Sequence, residues 1–366
     1  MARKRVSLAD VARQAGVSQS AASFVLSGRG QDMRISADVA ARVLQAVRDT
    51  GYRPNQVSRS LRTGTTGTIG FVSDTVSTTP FAGHLIWGAL DAARERGHLL
   101  FIAETEGDLE LERQLIDAMH DRQVDGIILA SMYTRKITPP KALLDGPAVL
   151  LNALPIGRSA ITAVIPDEAG AGRAAARALL DAGHRDGICL IGAGPGDTPA
   201  PRGSVAAVER LQGILATLGK AGVAVADAVG CSDWQPDQGF EATRQLLKRR
   251  PRPSALICFN DRLALGAYHA LADDGLQVPA DVSVVSFDDE VFAPWIRPQL
   301  TTVALPHYEL GSAAVRLLLD QVKDSDKQQP RIHRIPMQLR QRSSIRAQLD
   351  PQTQVHAASA PADMPS

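Results

Sequence analysis

The chain has 366 residues, of which 22% are charged, and its formal net charge at pH 7 is only +1. It contains no apolar run long enough to cross a bilayer, and the residues that follow Met1 are basic and polar, unlike a secretory signal. We therefore expect a globular protein of the cytoplasm with no membrane partner. Its length is sufficient for more than one hydrophobic core.

The near-neutral total conceals an uneven distribution of charge. Residues 1–62 contain eleven basic and four acidic residues, a net charge of +7, whereas the rest of the chain has 29 basic and 35 acidic residues, a net charge of −6. A cationic segment on an anionic body is expected when only that segment meets the phosphates of a nucleic acid. The first 62 residues are therefore the place to look for a DNA-binding element.

Residues 7–26 have the pattern of a helix, a tight turn and a second helix. Ser7 and Ser18 are suitable N-caps, Gly16 suits the turn because it has no Cβ, and the small Ala12 and Ala22 allow the helices to cross closely. The second helix then presents short polar side chains that are able to bond base edges in a major groove. The side chains expected to meet DNA there are Ser18, Gln19, Ser20 and Ser23. A helical hairpin of an ordinary small bundle is the alternative, which the charge distribution disfavours.

A third helix and a shorter helical run follow. The pattern predicts a helix over residues 36–48, capped by Ser36 and ended by Gly51, with an apolar face at Val39, Val43, Leu44 and Val47. Residues 55–62 have room for two helical turns before the glycine-containing stretch 63–67. So short a helix is not stable alone in water, so we expect it to form only against a partner.

The order of five motifs carries a resemblance to a known family. They are SLADVA at 7–12, AGVS at 15–18, VLSG at 25–28, GYRPN at 51–55 and RSLRTG at 59–64, which runs into TIGFV at 68–72. This arrangement resembles the LacI/GalR family of bacterial transcription regulators, and the similarity continues to about Arg346. The resemblance implies a DNA-binding domain at 1–63 with a hinge helix at 55–62 and an effector-binding and dimerisation core at 64–346. The tail at 347–366 is rich in Ala, Pro, Gln and Ser, and we expect it to be disordered.

The resemblance also implies how the hinge meets DNA. In the family the hinge helices of two subunits pair in the minor groove of a near-palindromic operator, and a leucine from each wedges between base pairs. Leu61 stands at the matching position, and Asn55, Arg59 and Arg62 are the DNA-contacting residues expected around it. Phe24 departs from the family, which often has an arginine or histidine there. Phe24 is expected either to contact a thymine methyl group or to pack inside the domain.

From residue 68 onward, short apolar runs alternate with amphipathic stretches. The runs are 69–72, 99–103, 126–130, 148–151, 188–191, 255–259 and 282–286; the amphipathic stretches are 84–96, 109–122, 169–182, 204–221, 238–249 and 263–274. Continuously apolar strands alternating with helices predict doubly wound parallel sheets covered on both faces. The resemblance implies two such subdomains of the periplasmic-binding-protein type, connected by three crossings of the chain, with a ligand between them.

Polar residues that directly follow the apolar runs are candidates for the effector site, because ligands of such sheets bind beyond the carboxyl ends of the strands. Asn260, Asp288, Trp234 and Arg210 fall where the family places effector contacts, and Phe81 matches an apolar wall from the first subdomain. The set suits a polyol. An arginine can donate two parallel hydrogen bonds to neighbouring hydroxyls or to a carboxylate, and the aspartate and asparagine can accept hydrogen bonds from hydroxyls. A pyranose face can stack on the indole.

One position in this predicted cleft departs from the family. Leu305 stands where the family often has a glutamine or another polar residue on a crossing strand. Either the ligand has fewer hydroxyls on that side, or the true register differs by one residue.

The remaining patterns define what else the chain could be. The glycines at 192, 194 and 196 lack the spacing of a dinucleotide-binding enzyme, no metal or cofactor site is indicated, and a free sugar-binding transport protein lacks a DNA-binding head. We interpret the chain as a dimeric repressor, associated with the nucleoid, that a sugar or sugar-like effector releases from its operator. A corepressor with a nucleobase or other metabolite ligand is the alternative within the same class.

Overall fold

The computed structural model describes residues 6–52, 64–79, 82–157, 161–196, 198–323 and 330–346. The chain forms two compact units, Met1–Gly67 and Thr68–Ser366, which are described separately below. Several predictions lie outside the described residues: the hinge helix with Asn55, Arg59, Leu61 and Arg62, the wall residue Phe81, and the disordered tail. These remain predictions, as do the domain bounds at residues 63 and 346.

The first unit contains the predicted helix-turn-helix and a third helix. They are α1 (Leu8–Ala15), α2 (Gln19–Leu26) and α3 (Ala37–Thr50). Ser7, Ser18 and Ser36 cap them as predicted, each accepting a hydrogen bond from a backbone N–H of the first turn. Gly16 and Gly51 adopt left-handed conformations, with φ of 64° and 63°, at the ends of α1 and α3. The local sequence signals therefore account for both ends of α1 and α3.

Small residues form the core of this unit. Val11, Ala12, Ala22, Val43 and Ala46 are buried together, which confirms that the two alanines lie where the helices cross. The prediction that Leu44 belongs to the apolar face of α3 is wrong, since its side chain is 45% exposed. Val43 and Ala46, three residues apart, form the buried face of α3, and a helix rotates by 100° per residue, so Leu44 lies to the side of that face.

The described residues of the second unit form two six-stranded sheets. The strands are β1 (Thr68–Ser73), β2 (Leu99–Glu104), β3 (Ile127–Ile137), β4 (Ala148–Pro155), β5 (Thr162–Pro166), β6 (Ile188–Gly192), β7 (Asp227–Gly230), β8 (Ala255–Cys258), β9 (Ser283–Asp288), β10 (Thr301–Ala304), β11 (Ile332–Ile335) and β12 (Gln338–Arg340). The first sheet has the order β11-β5-β4-β3-β1-β2 and the second β12-β10-β9-β8-β6-β7. Every pair among these strands is parallel except β10 with β12. The predicted doubly wound fold is confirmed.

Seven helices of the described chain cover the sheets. They are α4 (Gly83–Glu95), α5 (Leu109–Asp121), α6 (Glu168–Asp181), α7 (Val205–Lys220), α8 (Pro236–Lys248), α9 (Asp261–Asp273) and α10 (His307–Lys323). The first six match predicted amphipathic stretches within one or two residues. The seventeen-residue α10 was missed by the sequence analysis, although its side chains Leu310, Val315 and Leu318 are buried in the core of the first sheet. In the described part of the chain, no helix is long and apolar enough to span a membrane.

The chain passes between the two sheets three times, as the resemblance implies. It leaves the first sheet after β5 to enter α6, returns from β10 to α10, and leaves again between β11 and β12. The first and third crossings are adjacent, because β5 pairs with β11 and the backbone N–H of Asp167 donates to the carbonyl of Ile335 at 2.9 Å. The carboxyl end of β5 therefore leads directly into the region between the sheets.

Candidate DNA-binding surface and effector site

The exposed face of α2 carries the predicted DNA-reading side chains. Ser18, Gln19 and Ser20 are exposed and Ser23 is partly buried, whereas Ala22 on the opposite face is fully buried. The Ser18 hydroxyl accepts from the backbone N–H of Ala21 at 3.1 Å, so it both caps the helix and lies at its exposed start. Short polar groups near the N-terminus of a recognition helix are well placed for base edges. Their contacts with bases stay predictions.

Phe24 is partly buried, and a guanidinium lies on its ring. The Arg29 Cζ atom is 5.4 Å from the centroid of the phenyl ring, and the backbone N–H of Arg29 donates to the Phe24 carbonyl at 3.0 Å. This arrangement is a cation–π contact at the C-terminal end of α2. Phe24 replaces the cationic residue that the family often has at this position, but the guanidinium of Arg29 lies on its ring.

The buried side chain of Arg210, in the second turn of α7, is the centre of a polar cluster in the second unit. Its Nε donates to Glu168 Oε2 at 2.6 Å, and its Nη2 donates to Glu168 Oε1 at 3.3 Å and to Asp288 Oδ1 at 2.8 Å. Its Nη1 donates to the Phe259 carbonyl at 2.5 Å. Four of its five N–H groups are thus engaged within the protein. We call Glu168, Arg210 and Asp288 the carboxylate–arginine cluster.

Burial and charge set the protonation of this cluster. Burial raises the pKa of Glu168, although the charge of Arg210 acts in the opposite direction. Burial acts against the charged guanidinium, but Glu168 and Asp288 together raise the pKa of Arg210 above its ordinary value. Arg210 therefore stays protonated, and it donates hydrogen bonds to both Glu168 and Asp288.

Trp234 is held beside the cluster. Its Nε1 donates to the Gly192 carbonyl at 3.1 Å, its ring centroid lies 5.8 Å from that of Phe259, and the Arg210 Cζ atom lies 5.8 Å from its ring. The indole is only partly buried, so its position is fixed while part of its surface stays accessible. The structure therefore brings together Trp234, Arg210 and Asp288, which the sequence placed far apart.

Asn260 has a structural role within the same region. Its Oδ1 accepts from the backbone N–H of Leu263 at 2.8 Å and so caps α9, and its Nδ2 donates to the Trp234 carbonyl at 3.0 Å. Its side chain thus positions both the helix and the indole residue. A direct contact of Asn260 with an effector stays a prediction, and only one N–H and one lone pair of its amide remain for it.

Asp288 has a backbone conformation that is rare for a residue with a side chain. Its φ is 105° at the carboxyl end of β9, and Asp289 follows with φ of 58°. Asp289 Oδ1 accepts from Arg342 Nη2 at 2.7 Å, so the turn is held from outside the strand. Such strain persists only where the surrounding contacts enforce it, and it occurs frequently at binding sites. Here it directs the Asp288 carboxylate toward Arg210.

Leu305 directly follows β10, and both explanations of its departure from the family stay predictions. Its side chain packs against the core of the second sheet, and its backbone N–H donates to the Asp288 carbonyl at 3.3 Å. The leucine thus supports the strained turn of Asp288 through the backbone.

Two residues of the region were missed by the sequence analysis. Glu168 follows the N-cap Asp167 and resembles an ordinary first-turn acid, so nothing local distinguishes it. Asn152, near the carboxyl end of β4 in the first sheet, has φ of 52° and is 4% exposed. Its Oδ1 has no hydrogen-bond partner among the described residues. A buried acceptor without a partner costs free energy unless something else donates to it, so Asn152 joins the candidate site.

Helix α7 connects the two sheets. Val205 at its start packs in the core of the first sheet, while Arg210, one and a half turns later, lies in the cluster beside the second. Glu209 accepts from both Nη atoms of Arg334 on β11, at 2.6 and 2.8 Å. A displacement of one sheet relative to the other must therefore alter contacts on this helix.

A helix-turn-helix unit together with a two-sheet unit that holds a buried polar cluster beside its second sheet is typical of a ligand-responsive DNA-binding regulator. Comparisons with known proteins agree. Residues 7–55 match the model of bacterial regulatory proteins of the lacI family, and residues 176–345 match a periplasmic binding protein-like domain.

Three relatives extend the match over most of the chain. The ribose operon repressor of Escherichia coli (strain K12) is 33% identical, over 90% of this chain and 96% of that protein. The HTH-type transcriptional repressor PurR of Photobacterium profundum is 32% identical, over 87% and 92%. The structure of the lac repressor dimer bound to operator and the anti-inducer ONPF is 27% identical, with a TM-score of 0.73 and coverage of 94% and 100%.

The chain belongs to the lacI family of bacterial regulatory proteins. It is a DNA-binding transcription regulator and not an enzyme, as the sequence motifs predict. The alternative of a free sugar-binding transport protein is not favoured, because the matched relatives are regulators over nearly their whole length.

Proposed function

We propose that this protein is a dimeric repressor, acting at the nucleoid in the cytoplasm, that a neutral sugar releases from its operator. The observation that carries the proposal is the carboxylate–arginine cluster beside the partly exposed indole of Trp234. The proposed organisation is a DNA-binding domain at 1–63 with a hinge helix at 55–62, an effector core at 64–346 and a disordered tail at 347–366.

The charge of the cluster favours a neutral effector. Asp288 and Glu168 already satisfy most of the guanidinium of Arg210, so an anionic ligand would meet two carboxylates and a single available Arg210 N–H. A hydroxyl group suits the same place better, because it can donate to Asp288. An apolar sugar face would lie on Trp234. The relative named ribose operon repressor supports a carbohydrate as effector.

The proposed release of DNA uses the crossings between the sheets. An effector that binds residues of both sheets stabilises one relative orientation of them, and it shifts the equilibrium by the difference in its affinity for the two orientations. Contacts of α7 with both sheets, such as Glu209 with Arg334, would change in that step. The predicted hinge helices of two subunits would then separate and lose their helical structure, which lowers operator affinity.

The test is a titration of the full-length protein with D-ribose and other neutral pentoses and hexoses. In a variant with Trp87→Phe and Trp295→Phe, Trp234 is the only tryptophan, and the effector is expected to change its fluorescence. In the wild-type protein the same effector is expected to lower operator affinity. Trp234→Ala is expected to weaken the effector about tenfold, roughly 1.4 kcal/mol, without changing operator affinity in the absence of sugar.

Each other outcome of this titration has a definite meaning. A sugar that changes the emission of Trp234 and leaves operator affinity unaltered would contradict the allosteric half of the proposal. A nucleobase that tightens operator binding would establish the corepressor alternative instead.

The proposed dimer has a suitable surface on the first sheet. The edge strand β2 exposes Leu99, Phe101 and Ile102, and the neighbouring helix α4 exposes Trp87 and Leu90. An apolar edge strand that stays uncovered favours aggregation, so natural proteins cover it. A second copy of the chain is the cover we propose, in agreement with the dimer of the structurally similar lac repressor.

Phe101→Glu is expected to convert the dimer to a monomer, because two carboxylates would be buried in an apolar interface. Sedimentation velocity of the full-length protein measures the change. Leu144→Glu is the matched control, since Leu144 is also exposed, at 51%, but lies on the short 3₁₀ helix Lys141–Asp145 away from β2. A Phe101→Glu protein that sediments as the wild type does would exclude this surface from the interface.

A further inference from the structure

Arg29 occupies a fixed position just beyond the recognition helix. The segment from Ser27 to Ile35 is held by its own hydrogen bonds: the Ser27 hydroxyl donates to the Phe24 carbonyl at 3.1 Å, and the Ile35 N–H donates to the Gly30 carbonyl at 2.8 Å. Arg29 itself lies on the Phe24 ring, at 5.4 Å. A planar guanidinium stacked on an aromatic ring is oriented before any partner arrives.

Phe24 and Arg29 continue the exposed face of α2. Ser20 and Phe24 are four residues apart, so their side chains are neighbours on one side of the helix. Arg29, which the following turn folds back onto Phe24, extends that face by one more side chain at its C-terminal end. A recognition helix contacts base edges with its N-terminal residues, so its C-terminal end lies nearer the groove wall, where the phosphates are.

Arg29 differs electrostatically from Arg13 and Arg42 of the same unit. Arg13 and Arg42 form ion pairs with Asp10 and Asp38 on their own helices. Arg29 is exposed, and within the described part of the first unit no carboxylate pairs with it. Its charge is therefore available to an external anion.

We propose that Arg29, oriented by Phe24, binds a phosphate of the operator backbone at the end of the recognition helix. Phe24 then contributes to DNA binding by positioning a cation, and neither reads a thymine methyl group nor serves only for packing. The guanidinium presents parallel N–H groups that match two phosphate oxygens. The contact fixes the orientation of the helix in the groove and carries no sequence preference of its own.

The test measures DNA affinity as a function of salt, using full-length protein, a duplex selected by the wild-type protein from a randomised library, and an unrelated duplex. Each phosphate contact contributes roughly 0.9 to the slope of log K against log salt concentration. Arg29→Ala is expected to reduce the magnitude of the slope of log K against log salt concentration by about 0.9 for each DNA-binding domain bound to the selected duplex. It is also expected to weaken binding to both duplexes. The bases selected from the library should stay the same.

Three further variants separate a fixed contact from charge alone. Arg29→Lys is expected to retain the wild-type slope, because the charge remains, and to bind more weakly, because the stacked planar group is lost. Phe24→Ala should do the same. Arg48→Ala removes an equal charge from the last turn of α3, where Arg48 Nη2 already donates to Gln45 Oε1, and is expected to change the slope much less.

Contrary results are equally clear. An unchanged slope in Arg29→Ala, or an equal loss in Arg48→Ala, would overturn the phosphate contact. A change in the selected base sequence at one position would also overturn it and make Arg29 a base-reading residue. Because Arg29 is exposed, its variants should melt at the wild-type temperature, so a loss of folding does not confuse the readout.

Discussion

Arg210→Ala is expected to lower the free energy of unfolding of the effector-binding unit by about 3–5 kcal/mol. The variant removes the two hydrogen bonds that the Arg210 guanidinium donates to the buried Glu168 carboxylate. It also removes the hydrogen bond that Arg210 donates to the Phe259 carbonyl. Urea denaturation of the full-length protein, followed by circular dichroism, measures the loss. An Arg210→Ala protein that unfolds at the same urea concentration as the wild type would show that Arg210 does not stabilise buried carboxylates in this unit.

The same chain supplies controls for this prediction. Arg334 makes a similar two-bond contact with Glu209, but its side chain is 39% exposed, so Arg334→Ala is expected to cost at most about 1 kcal/mol. Adding Glu168→Gln to Arg210→Ala removes the uncompensated carboxylate and should recover part of the loss. If the double variant is as unstable as the single one, the cost is due to lost packing and not to a buried charge.

Gly213→Ala is expected to destabilise the protein by about 2–3 kcal/mol, although alanine is the better helix former by roughly 1 kcal/mol. A Cβ at Gly213 would lie 2.1 Å from the carbonyl oxygen of Ala169 on α6, and a backbone atom of a packed helix has no rotamer by which to move away. The two helices would have to separate. Glu168 and Arg210 lie on these two helices, so effector affinity should fall as well.

Gly219→Ala is the matched control in the same helix. Nothing lies within 4 Å of the position where its Cβ would be, so helix propensity alone decides, and we expect stabilisation of up to about 1 kcal/mol. Thermal melting of both variants, with and without the sugar that binds, gives the comparison. Equal effects of the two substitutions would show that α6 and α7 are not packed through Gly213.

The local features of this fold were accessible from the sequence, and the long-range ones were not. Serine caps, terminal glycines and continuous apolar strands act over a few residues, so α1 and α3 were predicted correctly and the apolar runs predicted seven of the twelve described strands, although the internal, fully buried β5 was missed. The strands that were missed include β7, β11 and β12, which lie at sheet edges and have only three or four residues of mixed polarity. An edge strand that is not covered on both of its faces does not need a continuous run of apolar residues, so the sequence of such a strand has no distinctive pattern.

The candidate site shows the same division. Its residue types and their positions after strands were predictable, but the state of Arg210 was not. Sequence position presents it as a free cation, whereas the structure binds it to Glu168, 42 residues away. Asn260 is similar, because its capping bond is local and its bond to the Trp234 carbonyl is not. Which donors and acceptors remain for a ligand depends on contacts that only the folded chain creates.

The three crossings have a consequence for how the protein is made. Helix α10 covers the first sheet, with Leu310, Val315 and Leu318 packed in its core, yet it follows β10, the tenth of the twelve described strands along the chain. During synthesis the face of the first sheet that α4 and α10 share therefore stays partly uncovered until almost the whole second sheet has left the ribosome. Folding from the N-terminus cannot complete it early, and a chain that ends at residue 304 lacks an intact half. We therefore expect the nascent chain to expose part of this apolar face until α10 has been made, which favours binding by chaperones during synthesis.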